Sequence, residues 1–159
     1  MAEAGAALTE LSDEMRAAIG HAGPSVRYEV TAQGIRTFAR AVGYPDPVYY
    51  SQEVAHSRGH RALPAPPGFL GMPVHDPAAR APRPAFRSPF KRALNGGTEI
   101  EPLETVYSGD ELDAVSTLTD LRLREGRMGP MLIRTSETVY TRRADAVVVA
   151  RTRGTGISY

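Results

Sequence analysis

A short segment in which two tyrosines flank a turn is the first candidate for a catalytic site in this chain. Tyr44 and Tyr49 are separated by a stretch that includes Pro45, Asp46 and Pro47. Proline presets φ and aspartate hydrogen-bonds its own backbone, so this stretch predicts a tight turn. A phenol has a pKa of about 10 and is a poor base at neutral pH. The two tyrosines therefore could not supply a general acid and base unless a strong local field acted on them.

Other side chains offer few alternatives for proton transfer or metal binding. His60 could act as a base, and His75 lies in the same region, but loop histidines are more often simply solvated. Asp46 or Glu53 could activate water as a carboxylate. The chain has no cysteine, which excludes disulfides, thiolate zinc sites and cysteine nucleophiles. We find no metal-ligand spacing, so no metal site and no metal cofactor is predicted.

Length and composition predict one domain over residues 1–159. The formal net charge of +1 gives no overall field that would attract nucleic acid, so a nucleic-acid partner is not expected. No apolar run approaches the roughly 18 residues of a membrane span. Glu3 and Glu10 replace the basic start of a secretory signal. We therefore expect a cytoplasmic protein.

Apolar spacing in the first half predicts helices that would hold this segment in place. The predicted elements are a helix over 7–21, a strand over 26–30, a helix over 32–42 and a short helix over 52–57. Thr31 and Ser51 are suitable caps for the second and third helices. The segment 63–90 contains eight prolines, so no long helix fits there and a surface loop is predicted, with at most a turn or two over 68–72.

The second half alternates in a way that is typical of strands. The predicted strands are 97–107, 111–123, 129–141 and 146–158, with hairpin turns at 108–110, 124–127 and 142–145. The residues expected to be buried are Val106, Leu112, Val115, Leu118, Leu121, Met131, Ile133, Val139, Val147 and Val149. A helical first half followed by an antiparallel sheet indicates an α+β fold.

The tyrosine segment resembles the Gly-Asp-x-Asn-Pro-x-His signature of MaoC-like, (R)-specific enoyl-thioester hydratases. Gly43 and Pro47 match it, and Asp46 replaces the Asn. Tyr44 and Tyr49 stand where the catalytic Asp and His belong. Further similar segments are 65–70, 94–101, 108–112 and 126–132, so the resemblance covers about 26–159. It implies a single hot-dog domain of the N-terminal type that lacks the catalytic dyad.

The resemblance also implies how such a chain would work. A second hot-dog chain would supply the Asp and His, in a heterodimer or a dimer of heterodimers. This chain would then be the accessory, substrate-binding subunit of an enoyl-CoA hydratase or 3-hydroxyacyl-thioester dehydratase. Its substrate would be an acyl-CoA or an acyl-carrier-protein thioester, with no further cofactor. Because the prolines interrupt the usual central helix, the acyl group could be bulky or steroid-like.

Candidate contacts follow from the same resemblance. A helix N-terminus at 68–72 would present backbone N–H groups to the thioester carbonyl. The residues expected to bind substrate are Pro67, Gly68, Phe69, Leu70, Met72, Asn95 and Gly96. Arginine forks suit phosphate oxygens. The arginines expected to contact phosphate are Arg58, Arg61, Arg87 and Arg92.

Two other functions stay open on the sequence. A stand-alone hot-dog acyl-thioesterase could use Asp46 or Glu53 to activate water. A non-enzymatic module could bind acyl thioesters without turning them over.

Overall fold

The computed structural model describes residues 10–75, 86–127 and 129–159, which form one six-stranded antiparallel sheet with short helices. The helices are α1 Asp13–Ala18, α2 Ala32–Ala41 and α3 Gln52–Ser57, with a 3₁₀ helix over Pro47–Tyr49. The strands are β1 Val26–Glu29, β2 Met72–Pro73, β3 Ala93–Pro102, β4 Glu111–Gly126, β5 Gly129–Arg142 and β6 Val148–Ser158. Their order is β2-β1-β4-β5-β6-β3. The predicted α+β class with an antiparallel sheet is confirmed.

The capped helices form where the sequence predicts them. The Thr31 hydroxyl accepts a 3.0 Å hydrogen bond from the Gly34 N–H and begins α2, and Ser51 begins α3 in the same way. α1 is shorter than the predicted 7–21, of which 7–9 lie outside the described residues. It stops at Ala18 because the next residues pair with β4, where the Gly20 N–H donates to the Leu118 carbonyl at 2.7 Å.

Two predicted hairpins are confirmed and one is wrong. β4 pairs with β5, and β5 pairs with β6, across the turns expected near 124–127 and 142–145. The turn at 108–110 does not join paired strands, since β3 pairs with β6 at the far edge of the sheet. Residues 103–107 instead leave the sheet, and the Val106 carbonyl accepts from the Ala65 N–H at 2.7 Å. β3 accordingly spans 93–102 rather than 97–107.

The turn at 108–110 is held by a buried aspartate rather than by strand pairing. Asp110 accepts a 2.9 Å hydrogen bond from the Tyr107 N–H and pairs with Arg61. Arg142 places its Nε 3.5 Å from the same carboxylate. One buried carboxylate thus ties the loop after α3 to β5 and fixes the start of β4.

The sheet has one face that packs against the rest of the chain, which we call the inner face. A first core cluster joins α2, the 3₁₀ helix and the 63–70 loop to the sheet through Ile35, Val48, Phe69, Leu112 and Val149, among others. A second cluster packs α1 on the other end of the face. It comprises Met15, Ala18, Phe86, Leu118, Leu121 and Leu132.

Half of the strand residues expected in the core are not buried. Leu112, Leu118 and Leu121 are buried as predicted, and so are Val106 and Val149. The prediction is wrong for Val115, Met131, Ile133 and Val139, which are half-exposed on the opposite face, and for Val147, which is exposed. Period-2 alternation sends successive residues to opposite faces and does not say which face is covered.

No described residue between α3 and β3 lies in a helix. The interruption of the central helix predicted from the prolines is therefore confirmed in the described part of that segment. On the inner face, Ser116 of β4 is exposed. None of the helices in the described ranges is long and apolar enough to cross a membrane.

Candidate functional site

The two tyrosines meet at the end of α2. Gly43 has φ +76° and turns the chain back, so that the Tyr44 N–H donates to the Ala39 carbonyl at 2.8 Å. The 3₁₀ helix then carries Tyr49 to within 5.9 Å of Tyr44, measured between ring centroids. The Tyr50 hydroxyl donates to the Tyr44 carbonyl at 2.8 Å and fixes this arrangement.

The environment of Tyr49 makes it a poorer base than a free tyrosine. Burial, with smaller contributions from Asp46 and Tyr44, raises the pKa of Tyr49 above 10.0. The phenol therefore stays protonated at neutral pH. Its hydroxyl can donate or accept a hydrogen bond, but it cannot take the proton of an attacking water as histidine does.

Asp46 serves the local fold. Its carboxylate accepts a 3.0 Å hydrogen bond from the Val48 N–H and two from Arg58, at 2.7 and 2.9 Å. The Val48 hydrogen bond and the Arg58 guanidinium lower the pKa of Asp46, although partial burial opposes them. Asp46 thus caps the 3₁₀ helix as a stable carboxylate. Glu53, the other carboxylate considered for water activation, is exposed on α3.

The 65–70 loop packs against α2 beside this segment. The Phe69 N–H donates to the Pro66 carbonyl at 3.0 Å, and the Phe69 ring lies 5.3 Å from the Phe38 ring. A Cβ on Gly34 would lie 2.8 Å from the Phe69 ring, so a larger residue there would require the ring to shift. Gly34 is absent from the residues predicted from the sequence, although a glycine inside a helix costs about 1 kcal/mol and so signals a packing reason.

Four of the residues predicted to bind substrate lie together. Pro67, Gly68, Phe69 and Leu70 line a cavity of 250 Å³, whose other wall includes Val106. The expected helix N-terminus at 68–72 is not formed, since a turn at 67–68 leads directly into β2. The tight turns around the prolines leave too few consecutive residues for a helical N-terminus.

The remaining predicted contacts lie elsewhere. Met72 is exposed in β2. Asn95 lines a separate cavity of 570 Å³ on β3, and its neighbour Gly96 packs its backbone against Thr155. These residues are not gathered with the 65–70 loop into one cavity.

Two of the four arginines expected to contact phosphate already have acidic partners. Arg58 pairs with Asp46, and Arg61 pairs with Asp110 while its guanidinium lies 4.5 Å from the centroid of the Tyr107 ring. Arg87 lines a large cavity, whereas the Arg92 backbone pairs with Tyr159. Phosphate contact by these arginines stays a prediction.

The histidines do not form a catalytic group with the tyrosines. His60 has Nδ1 3.3 Å from the Tyr107 hydroxyl, and His75 is exposed. Among the described residues no cluster of three or more histidines, aspartates or glutamates could hold a metal ion.

An open groove lies on the inner face beside the second core cluster. This inner-face groove has a volume of 860 Å³ and includes Val26, Ser116, Leu118, Arg134 and Ser136 among its walls. Arg134 is absent from the residues predicted from the sequence, because the alternation of β5 alone did not show which face would remain uncovered.

Comparison with known proteins identifies the family. A sequence model described as "FAS1-like, dehydratase domain region" matches residues 17–151. The chain belongs to this family. The MaoC-like resemblance and the hot-dog fold are thereby confirmed.

Relatives of this dehydratase family agree in sequence and in fold. A UPF0336 protein of Streptomyces griseus is 32% identical over 104 residues, which cover 65% of this chain and 69% of that protein. The truncated HadBC (3R-hydroxyacyl-ACP dehydratase) complex from Mycobacterium tuberculosis has a chain with a TM-score of 0.64 at 21% identity, covering 86% of this chain and 96% of that one. The ChsH1-ChsH2 complex from the same species gives 0.63 at 14% identity, with 87% and 84% covered. These structural likenesses show a shared fold.

In the segment that resembles the hydratase signature, Gly43 turns the chain and Asp46 caps the 3₁₀ helix. Tyr44 and Tyr49 stand where the resemblance places the catalytic Asp and His, and their rings lie side by side. Asp46 stands in place of the Asn.

Proposed function

We propose that this chain is the accessory, substrate-binding subunit of a heteromeric enoyl-thioester hydratase, or 3-hydroxyacyl-thioester dehydratase, whose catalytic Asp and His come from a second hot-dog chain. The observation that carries the proposal is the pair of tyrosines at the positions where the resemblance places the catalytic residues, in a turn that keeps the Gly and the Pro of the hydratase signature. The pKa of Tyr49 is raised by burial, which moves its titration further from neutrality.

The reaction explains why the dyad must come from elsewhere. Hydration of an enoyl thioester needs a base to activate water and an acid to protonate the α-carbon. Groups suited to both tasks titrate near neutral pH, as histidine and a tuned carboxylate do. The cavity lined by Pro67, Gly68, Phe69 and Leu70 would instead contribute an apolar wall for the thioester end of an acyl-CoA or acyl-carrier-protein substrate.

An exposed edge strand supports a partner chain. β3 is the outermost strand of the sheet, and all ten of its residues are exposed. Such an edge presents unpaired backbone groups and is normally covered. The two M. tuberculosis neighbours are themselves complexes named for two subunits, HadBC and ChsH1-ChsH2. A second hot-dog chain that joins along β3 is therefore our proposed partner.

The thioesterase alternative receives less support. A carboxylate that activates water needs a free face and a pKa near working pH. The Asp46 carboxylate caps the 3₁₀ helix and pairs with Arg58, and its pKa is lowered. Glu53 is exposed to solvent on α3. A non-catalytic binding module would share every contact of the accessory subunit and differ only in having no catalytic partner.

Reconstitution tests the proposal. The chain is purified alone and together with a hot-dog chain from the same genome that carries an intact Gly-Asp-x-Asn-Pro-x-His run. Enoyl-CoA hydration and coenzyme A release are followed in parallel. We expect no hydration by the isolated chain, hydration by the mixture, and no coenzyme A release in either.

The matched control is the same mixture with the partner's catalytic Asp changed to Asn, which should be inactive. Full turnover by the isolated chain would refute the accessory role. Coenzyme A release by the isolated chain would favour the thioesterase. A partner that is equally active without this chain would also contradict the proposal.

A further inference from the structure

The inner-face groove has the size and the mixed walls of a ligand site. Its 860 Å³ lies within the roughly 300–1,000 Å³ range of small-molecule pockets. Pro24, Val26, Phe86, Leu118 and Leu132 form apolar walls. The neighbouring cavity of 570 Å³ shares Ser116, Arg134 and Ser136 with it, so the two openings meet at these residues.

Arg134 lies on the inner face of β5 next to apolar residues. On β5 it follows Leu132 on the same face and pairs across the sheet with Leu121 of β4, and both leucines are buried. On its other side it pairs with Gly156 of β6. The guanidinium covers that glycine, because a Cβ there would lie 3.5 Å from Nη2 of Arg134. A cation is thus held on the inner face beside a buried apolar cluster.

No acidic side chain neutralises this cation in the described part of the chain. No carboxylate among the described residues lies within ion-pair distance of Arg134. By contrast, Arg142 at the end of β5 and Arg143 just after it both have acidic partners. Among the described residues, those that line the groove include Arg87 and neither aspartate nor glutamate. The groove therefore carries positive charge next to an apolar wall.

The floor beside Arg134 leaves space for a ligand. A Cβ added at Gly154 would meet no atom within 4 Å, so this part of β6 faces open space. Ser116 and Ser136 line the same cavity as Gly154 and Arg134. A guanidinium fork with nearby hydroxyl donors matches the two oxygens of a carboxylate.

We propose that the inner-face groove binds an amphipathic carboxylate, with its apolar body against Val26, Phe86 and Leu118 and its carboxylate on Arg134. The proposal concerns this chain alone. Only its extension, that the acyl group of the thioester substrate itself carries a carboxylate, rests on the proposed function.

Fluorescence titration of the purified chain tests this site. The probes are dansyl-labelled undecanoate and its uncharged primary amide, each below its micelle-forming concentration. Arg134→Met removes the charge and keeps the length of the side chain. We expect it to weaken undecanoate binding about tenfold, as loss of a hydrogen bond to a charged group does, and to leave amide binding unchanged.

Two further variants separate charge from shape. Arg124→Met, which removes an exposed arginine on the opposite face of the sheet, should leave both affinities unchanged. Gly154→Val should fill the open floor and weaken both probes equally. Circular dichroism of each variant checks that the fold is kept. If Gly154→Val does not fold, the comparison of Arg134→Met with the unmodified chain decides the proposal.

Several results would overturn the assignment. Undetectable binding of undecanoate would do so, as would equal affinity for acid and amide in the unmodified chain. Free coenzyme A serves as a third titrant. If coenzyme A binding depends on Arg134 and undecanoate binding does not, the groove would be assigned to phosphates and the carboxylate would be rejected.

Discussion

At the scale of single residues, Tyr44 and Tyr49 pack against each other at the positions where the resemblance places the catalytic pair. Their rings lie 5.9 Å apart at a 38° tilt, and Tyr49 packs against the first core cluster. The raised pKa of Tyr49 arises mainly from burial. We therefore expect these residues to contribute aromatic surface rather than proton transfer.

Changing Tyr44→Phe and Tyr49→Phe together should leave the hydratase activity of the reconstituted complex within about tenfold, because the rings remain and only the hydroxyls are lost. Loss of a true general base would cost about 10²–10⁴-fold. The measurement is kcat of the complex with both tyrosines changed.

Tyr50→Phe is the matched control, since it removes the 2.8 Å hydrogen bond to the Tyr44 carbonyl without touching either ring. It should lower the free energy of unfolding by about 1 kcal/mol. A drop of more than 100-fold in kcat for the double variant alone would assign the tyrosines a catalytic role.

At the scale of elements, the approach of the 65–70 loop to the sheet depends on Gly71. This residue has φ +89° and leads the loop into β2, which pairs with β1. A Cβ at Gly71 would lie 2.7 Å from the Glu29 carbonyl oxygen. That atom belongs to the backbone of β1 and cannot move without disturbing the strand.

Gly71→Ala should therefore destabilise the fold more than Gly59→Ala. Both positions have positive φ, which costs an alanine about 1–2 kcal/mol. Gly59, with φ +82°, has no atom within 4 Å of the added Cβ, so it incurs only that cost. Overpacking at Gly71 should add about 1–3 kcal/mol to the loss in free energy of unfolding.

Urea unfolding of the two variants and the unmodified chain gives the comparison. Equal destabilisation by the two substitutions would show that β1 and the loop can separate at no cost. The contact between Gly71 and Glu29 would then not position the 65–70 loop that lines the 250 Å³ cavity.

At the scale of the whole molecule, the inner-face groove lies beside the second core cluster, whose Phe86, Leu118 and Leu132 line it. No described residue between α3 and β3 forms a helix over the sheet. Apolar sheet left uncovered is costly unless a ligand or a partner fills the space. In the proposed complex a large acyl group would fill it.

The complex should therefore prefer a steroid-sized enoyl-CoA over crotonyl-CoA. A short acyl chain leaves apolar walls of the groove without contacts, at roughly 0.8 kcal/mol for each methylene not buried. The measurement is the ratio of kcat/KM for the two substrates with the reconstituted complex. Equal or better use of crotonyl-CoA would reject the enlarged site and leave the accessory role intact.

Features that depend on neighbours along the chain are predictable from the amino-acid sequence. Thr31 and Ser51 cap helices because a cap needs only the N–H groups three residues ahead. The prolines of 63–90 exclude a long helix through their own backbone. The presence of Tyr44 and Tyr49 where the resemblance places the catalytic Asp and His is likewise visible in the sequence.

The tertiary structure decided which face of each strand is covered and which strands pair. Val115 and Leu118 both follow the strand pattern, but only Leu118 faces α1. The turn at 108–110 is not a hairpin, because Asp110 binds Arg61 from a distant loop and β3 pairs with β6. Arg134 is a candidate site residue because it lines the inner-face groove. The packing of the strands, rather than the sequence pattern, places it there. Each of these outcomes depends on contacts between residues far apart in the chain, and alternation along a strand does not encode them.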